Sequence, residues 1–557
     1  MSSSDDGGMD LRRPLVPAGK AEKLTVDDAL QKYCGEFGWW QLRHFVLTSL
    51  AWALEGIHTM VMIFADRDPA WRCSSAACDS AAAQAADKGS VCGLEPGSWE
   101  WDGGDGSSTV SEFGLICGEI YRVGLVQALF FAGCMIGAGV FGHLSDSRMG
   151  RKGSLTIVCI MNAVFGCLTA FSPNYWFYVL FRLLSGFSTG GTGLCAFVLA
   201  TEPVGPSKRG LVGMSTFYFF SAGIALLSAI AYRFQTWRAL YVASSVPSIL
   251  FVFLVLPFLH ESPRWCLIRG RVGEAIKTMQ SIARANGREL PENVVLGLDS
   301  EVSSGGSSHL LLKESLSSGK ESFSGGRESL SGGMESFSRG GSSHLLPKES
   351  LSGSLIDVLR SPLTRVRLFL AVTINFTCAI VYYGLSLNAV NLGTNLYLNV
   401  ALNAVAEMPA YFLTAIWLDK LGRKPLAIGT QWFSGLFCVA GSLMKAYGTS
   451  TIIPMICGVF GIFGMAGTYN LLFIYTVELF PTTVRNAALG CATQAAQLGA
   501  ILAPFIVVCG GGIPFAVFGV CGIAGGLLGY YLPETLNRPL YDTLGGMEEG
   551  EGSAWVA

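Results

Sequence analysis

Residues 142–152 read GHLSDSRMGRK, and residues 416–424 read IWLDKLGRK. Each closes an oily run with an aspartate, a glycine and an Arg-Lys pair, and Asp146 and Asp419 stand 273 residues apart. A charged cluster that returns about half a chain later points to an internal duplication. The surroundings decide what is duplicated. The chain has 557 residues, 51% of them hydrophobic and only 14% charged, with mean hydropathy +0.45. A soluble domain carries roughly 25% charged residues, so most of this chain has no means of facing water.

Several apolar runs, such as GLVQALFFAGCMIGAGVFGHL at 124–144, exceed the ~20 residues a helix needs to cross a bilayer. Backbone in lipid must satisfy its own hydrogen bonds, and these runs lack the alternation of a barrel strand. The fold class is therefore an all-α membrane protein. Twelve transmembrane helices can be drawn, six over 44–259 and six over 367–531, in two six-helix pseudo-repeats. The N-terminus holds no apolar core that would make a cleavable signal.

Cations fall on alternate connections, at 148–152, 208–209, 420–424 and 485. By the positive-inside rule these loops and both termini are expected in the cytoplasm, with the protein in either the plasma membrane or the vacuolar membrane. The long segment 66–122 then lies on the opposite side. Four of the sixteen cysteines, Cys73, Cys78, Cys92 and Cys117, cluster there and read as two disulfides of open pairing. The expected domains are a tail (1–40), a six-helix bundle (41–260), a linker (261–363), a second bundle (364–532) and a C-terminal tail (533–557). In the linker, RVGEAIKTMQSIARANG suggests a short helix with a glycine cap. Residues 303–353 carry a seven-residue Ser/Gly/Glu repeat that cannot bury a core and is expected to be disordered. Its serines are candidate targets of a protein kinase; a tolerated expansion explains it equally well.

The duplication extends beyond the opening pair. TEPVGPSKRG (201–210) follows helix 4 and VELFPTTVRNAALG (477–490) follows helix 10. HESPRW (260–265) follows helix 6 and PETLNRP (533–539) follows helix 12. Asp146 precedes Glu261 by 115 residues, and Asp419 precedes Glu534 by the same 115. These repeated Asp, Gly-Arg-Lys, Glu-Ser-Pro-Arg and Pro-Glu-Thr signatures resemble the major facilitator superfamily. The resemblance implies two halves that enclose one substrate site and rock about it. One spacing departs: Asp419 and Gly422 are three apart, Asp146 and Gly150 four. That leaves open whether Arg148 or Arg151 takes the arginine's place. The charges suggest a cytoplasmic gate whose bonds form and break as the halves move. Asp146, Arg151, Glu202, Glu261 and Arg264 would make one network; Asp419, Arg423, Glu478, Arg485 and Glu534 would make the other. Helix capping and topology are the plainer role for the same charges.

Within that superfamily, the cysteine-bearing first loop, ending STVSEFGLICGE (108–119), and the text LEGIHTMVMIFADRDPAWRC (54–73) resemble plant organic cation/carnitine transporters. The resemblance implies an organic cation or zwitterion, such as carnitine or a polyamine, as substrate. It also implies that Glu407 lines the cation site, with Tyr382 and Tyr383 adding aromatic faces. Gln497 occupies a place where cation carriers of the family often have Asp and anion or zwitterion carriers Arg, and a neutral amide matches neither. Glu55 and His58 lie one helical turn apart; with Arg182 they are candidates for proton coupling, or a structural pair. A sugar or other polar solute, or a sensor role without transport, are the alternatives. No metal-ligand spacing, nucleophile elbow or phosphate-binding loop is present, so neither an enzyme, a metal nor a cofactor is expected, and the partners are solute and lipid, with no nucleic acid.

Overall fold

The computed structural model describes residues 22–74, 78, 91–95, 97–147, 149–291, 294–297, 355–448, 450–481, 484–538, 541 and 544–551. The Ser/Gly repeat and Arg148 lie outside the described residues. Twelve apolar helices follow in chain order. The first six are α1 (Trp39–Met60), α2 (Tyr121–Asp146), α3 (Gly150–Thr169), α4 (Tyr175–Thr201), α5 (Pro206–Arg233) and α6 (Trp237–Leu254). The second six are α7 (Pro362–Leu387), α8 (Leu396–Leu421), α9 (Arg423–Ala446), α10 (Ile452–Glu478), α11 (Arg485–Val508) and α12 (Ile513–Gly529). Eleven are long and apolar enough to cross a membrane, and α12 is a shorter apolar helix. Helix starts carry their sequence signals. Asn174 and Asn395 accept the first backbone N–H groups of α4 and α8, and proline opens α5 and α7, where its missing N–H costs nothing.

The helices pack as two bundles, α1–α6 and α7–α12, which meet along α2 with α11 and α5 with α8. Close approach inside the first bundle depends on glycine. A Cβ on Gly137 of α2 would stand 1.9 Å from the Phe187 carbonyl oxygen of α4, and one on Gly186 would stand 2.0 Å from that of Phe130. Small residues of this kind let backbones touch where lipid offers no hydrophobic drive.

Each end of the bundle pair has its own furniture. On one face, strands β2 (Trp71–Cys73) and β3 (Trp99–Trp101) pair antiparallel, and the open disulfide pairing resolves as Cys73–Cys78 and Cys92–Cys117. Glu112 anchors this loop to α6, accepting from Trp237 Nε1 at 2.6 Å and from the Arg238 guanidinium. The opposite face carries both copies of the charged motif. There the N-terminal tail and the linker, separate in the sequence reading, fold together. Strand β1 (Glu22–Leu24) pairs parallel with β4 (Val294–Leu296). Val26, Leu30 and Cys34 share a core with Trp265, Met279 and Ile282. The linker helix Val272–Ala285 ends as the sequence suggests, with Gly287 in the left-handed region at φ +69°.

Candidate functional site

Where α5 meets α8, a carboxylate lies in the seam. Glu407 is 1% exposed, at the middle of α8. Tyr382 of α7 donates to its Oε1 at 3.1 Å, and Tyr411, one turn along α8, donates to its Oε2 at 3.2 Å. The third donor comes from the other bundle: the Ser221 hydroxyl of α5 bonds Glu407 Oε2. Among the described residues no Lys, Arg or His forms an ion pair with Glu407. Burying a carboxylate is costly unless its lone pairs are met, and here three hydroxyls from both bundles meet them.

Aromatic rings surround the carboxylate. Tyr382 stacks on Tyr469 of α10 at 5.0 Å between centroids, and Tyr383 meets Phe131 of α2 edge-on at 4.8 Å. Tyr411 packs between Phe217 and Tyr218 of α5, at 5.9 and 5.7 Å. Gln497 of α11 has a buried side-chain oxygen without a hydrogen-bond partner. Ring faces carry negative potential that suits a cation. An acid and a set of rings are thus gathered by both bundles.

The three candidates for proton coupling sit within the first bundle. Arg182 of α4 is 1% exposed; it donates twice to the His58 carbonyl at 3.3 Å and lies 4.1 Å over the Phe130 ring. His58 Nε2 meets Ser248 Oγ of α6 at 2.8 Å, while its Nδ1 has no partner. Glu55 Oε2 likewise has no hydrogen-bond partner and faces Gly193 of α4. The three candidates therefore join α1, α4 and α6, and the Glu55 and His58 side chains do not hydrogen-bond each other.

The doubled motif builds two matching clusters. In the first bundle, Arg151 Nη2 lies 2.9 Å from Asp146 Oδ1 and 3.2 Å from Glu202 Oε1. In the second, Arg423 lies 3.3 Å from Asp419 and 2.9 Å from Glu478. Glu261 accepts the backbone N–H groups of Arg151 and Lys152, and Glu534 accepts those of Arg423 and Lys424. Gly150 and Gly422 take φ +80° and +93°, and a Cβ on either would stand 2.5 Å from the oxygen of Glu261 or Glu534. The turn thus needs glycine on two counts. Burial pushes the Glu261 carboxyl up, a shift that its backbone donors and Arg151 only partly offset.

Two arginines stand apart from these clusters. Arg264 bonds Asp27 of the tail, which also takes Arg209 Nη2 at 2.7 Å. Burial pushes the Asp27 carboxyl up, but the two guanidinium groups outweigh it and hold it below the usual carboxylate range. Arg485 bonds the Phe480 carbonyl at 3.3 Å. Among the described residues, all partners of Arg151 lie in the first bundle and all those of Arg423 in the second. The seam itself is held elsewhere. At the disulfide face Tyr397 of α8 stacks on Phe64 at 5.5 Å, takes Arg67 Nη1 on its hydroxyl at 3.4 Å and Ser228 Oγ on its carbonyl at 2.6 Å.

Sequence reading missed Ser221, Tyr411, Tyr469, Tyr397 and Asp27. Tyr411 is four residues from Glu407 and so shares its helix face, a signal that was available. Ser221 reaches Glu407 across 186 residues, and one sequence holds no sign of that.

Two six-helix bundles that share a buried acidic and aromatic site define a membrane transporter. The profile of the family "Sugar (and other) transporter" matches residues 107–307 and 313–543. Organic cation/carnitine transporter 4 of Arabidopsis thaliana is 60% identical, over 99% of this chain and 98% of the relative. Organic cation/carnitine transporter 2 of the same plant is 34% identical, over 95% of each chain. A solute carrier family 22 member 15-like protein of Xenopus laevis is 32% identical, over 94% of this chain and 96% of the relative. The partially occluded, inward-open structure of the xylose transporter XylE from E. coli has the same fold. It aligns with TM-score 0.60 at 16% identity, over 90% of this chain and 100% of that one. The chain belongs to the organic cation/carnitine transporter family of the major facilitator superfamily.

Proposed function

We propose that this transporter carries small organic cations or zwitterions, carnitine and polyamines among them, by alternating access, with Glu407 as the cation's counter-charge. The observation that carries this reading is a buried seam carboxylate held by hydroxyls from both bundles, with no guanidinium or ammonium paired to it among the described residues. An ammonium group arriving there neutralises the charge, and Tyr382, Tyr383, Tyr411 and Tyr469 present aromatic faces to its alkyl shell.

The motif face, with both termini, is the cytoplasmic one in this reading, and the disulfide face is exoplasmic or lumenal, at the plasma or vacuolar membrane. Lys and Arg crowd the first and disulfides mark the second. Asp146, Arg151, Glu202 and Glu261, with Asp419, Arg423, Glu478 and Glu534, line the cytoplasmic gate as two separate clusters that, among the described residues, do not bond across it. They brace each bundle as a rigid arm. Glu55, His58 and Arg182 are placed to couple a proton, since the first two keep an unpartnered acceptor or donor atom in the membrane.

The test is uptake into proteoliposomes of labelled tetraethylammonium, carnitine, spermidine and glucose, for the natural chain and for Glu407→Gln. The expected result is uptake of a cation or zwitterion that falls at least tenfold in the variant. Unaltered cation uptake in the variant, or uptake of glucose alone, overturns the reading.

A further inference from the structure

Beyond Ser207 at its start, which bonds Glu36, the helix α5 carries four serine and threonine side chains, and they are used in two ways. Ser215 and Thr216 bond carbonyls of their own helix, at 2.8 and 2.7 Å, the usual course for a helical hydroxyl in an apolar setting. Ser221 and Ser228, seven residues apart and so on one face, instead donate across the seam to α8. Ser228 bonds the Tyr397 carbonyl at the disulfide face. Ser221, fully buried, bonds the Glu407 carboxylate at mid-membrane depth.

Of the three donors on Glu407, two travel with it. Tyr411 is on the same helix, and Tyr382 is in the same bundle. A rocking motion of the bundles leaves those two bonds intact and shears α5 against α8. Of those three bonds on Glu407, the one from Ser221 is the one that such a motion must break. It is also the bond most exposed to competition. A carboxylate has about four lone-pair sites, and Oε2 already takes Tyr411. A cation drawn to Glu407 repels the positive end of the Ser221 O–H, while the seam bond in the empty carrier holds that lone pair from the substrate.

We infer that Ser221 is a positioning residue that makes occupancy of Glu407 and closure of the α5–α8 seam compete, so that substrate binding loosens the seam. This rests on the reading of Glu407 as the cation's counter-charge. Ser221 lowers affinity for the cation and in return lets the empty carrier reset with its carboxylate satisfied.

The experiment is uptake of labelled tetraethylammonium and carnitine by proteoliposomes holding the full chain as Ser221→Ala, Ser221→Thr, Ser228→Ala or Glu407→Gln. Ser221→Ala is expected to lower KM about three- to tenfold, the size of one lost hydrogen bond, and to lower turnover by a similar factor. Ser221→Thr, which keeps the hydroxyl, restores both values. Ser228→Ala loosens the same seam without touching Glu407, so it changes turnover and leaves KM alone. If Ser221→Ala behaves like Ser228→Ala, or moves neither value, the inference is wrong. Should Ser221→Ala not assemble, Ser221→Cys, a weaker donor, must show the same fall in KM in part, and an unchanged KM there is equally fatal. Loss of uptake in Glu407→Gln beside an unaffected Ser221→Ala rejects Ser221 alone, whereas normal uptake in Glu407→Gln rejects the cation site with it.

Discussion

In the first bundle Arg151 stands between Asp146 and Glu202 over a loop clasped by Glu261, and in the second Arg423 stands between Asp419 and Glu478 over a loop clasped by Glu534. The arginines are buried alike, with side chains 10% and 13% exposed, while Asp146 and Asp419 are 75% and 78% exposed. The rims differ. The second cluster is finished by Thr535, whose hydroxyl bonds Glu478 at 2.6 Å. The first is flanked by a folded unit of tail and linker, tied on through Asp27 and through Trp265 Nε1, which bonds the Ser147 carbonyl at 3.0 Å. The shared part is what one bundle needs to remain one body. The unshared part grew from the segments that each bundle has beside it.

The arginines carry the largest expected effect. Arg151→Ala strands the Glu202 carboxylate and Arg423→Ala strands that of Glu478, and breaking a buried pair this way costs roughly 3–5 kcal/mol. Each variant is expected to melt well below the natural chain in detergent and to lose more than tenfold of its uptake at equal protein in the membrane. Equal losses mean that the two bundles are equivalent arms. A harmless change in either one breaks the parallel.

The glycines sharpen it. A side chain in the left-handed region costs roughly 1–2 kcal/mol, before any contact with the carboxylate 2.5 Å away. Gly422→Ala and Gly150→Ala are both expected to lower the melting temperature. The first should lower it more, because the extra residue between Asp146 and Gly150 gives that turn room to shift. A larger loss for Gly150→Ala means the longer turn is the stiffer one.

How much of this was legible beforehand follows from the range of each interaction. The twelve helices and the duplication were readable because hydropathy and repeated motifs are local signals, and the linker helix declared its glycine cap. Glu407 stood out as an acid within an oily run, and the cluster partners emerged because each motif recurs in register. The shift of Arg264 to Asp27 was hidden, since their contact joins residues 237 apart. Tail and linker each look too polar to hold a core, and only together do Leu30, Trp265 and Met279 bury one another. Ser221 was hidden for the same reason: a serine in a helix gives no hint of whether it bonds its own turn or a neighbour.

The smallest effect belongs to that tail. Asp27→Asn removes the charge that Arg209 and Arg264 share and has no counterpart in the second bundle. Because the ion pair is partly exposed, screening limits its worth to about 1 kcal/mol. The folded carboxyl titrates below its unfolded value, so its contribution is complete above about pH 4, the unfolded range, and is lost as the pH falls through the lower folded value. The natural chain and Asp27→Asn should therefore differ slightly in melting temperature at neutral pH and converge on acidification below that range. If the gap stays constant with pH, the asparagine acts through packing. If Asp27→Asn slows uptake as much as Arg151→Ala, the tail is part of the arm that moves and more than a brace beside it.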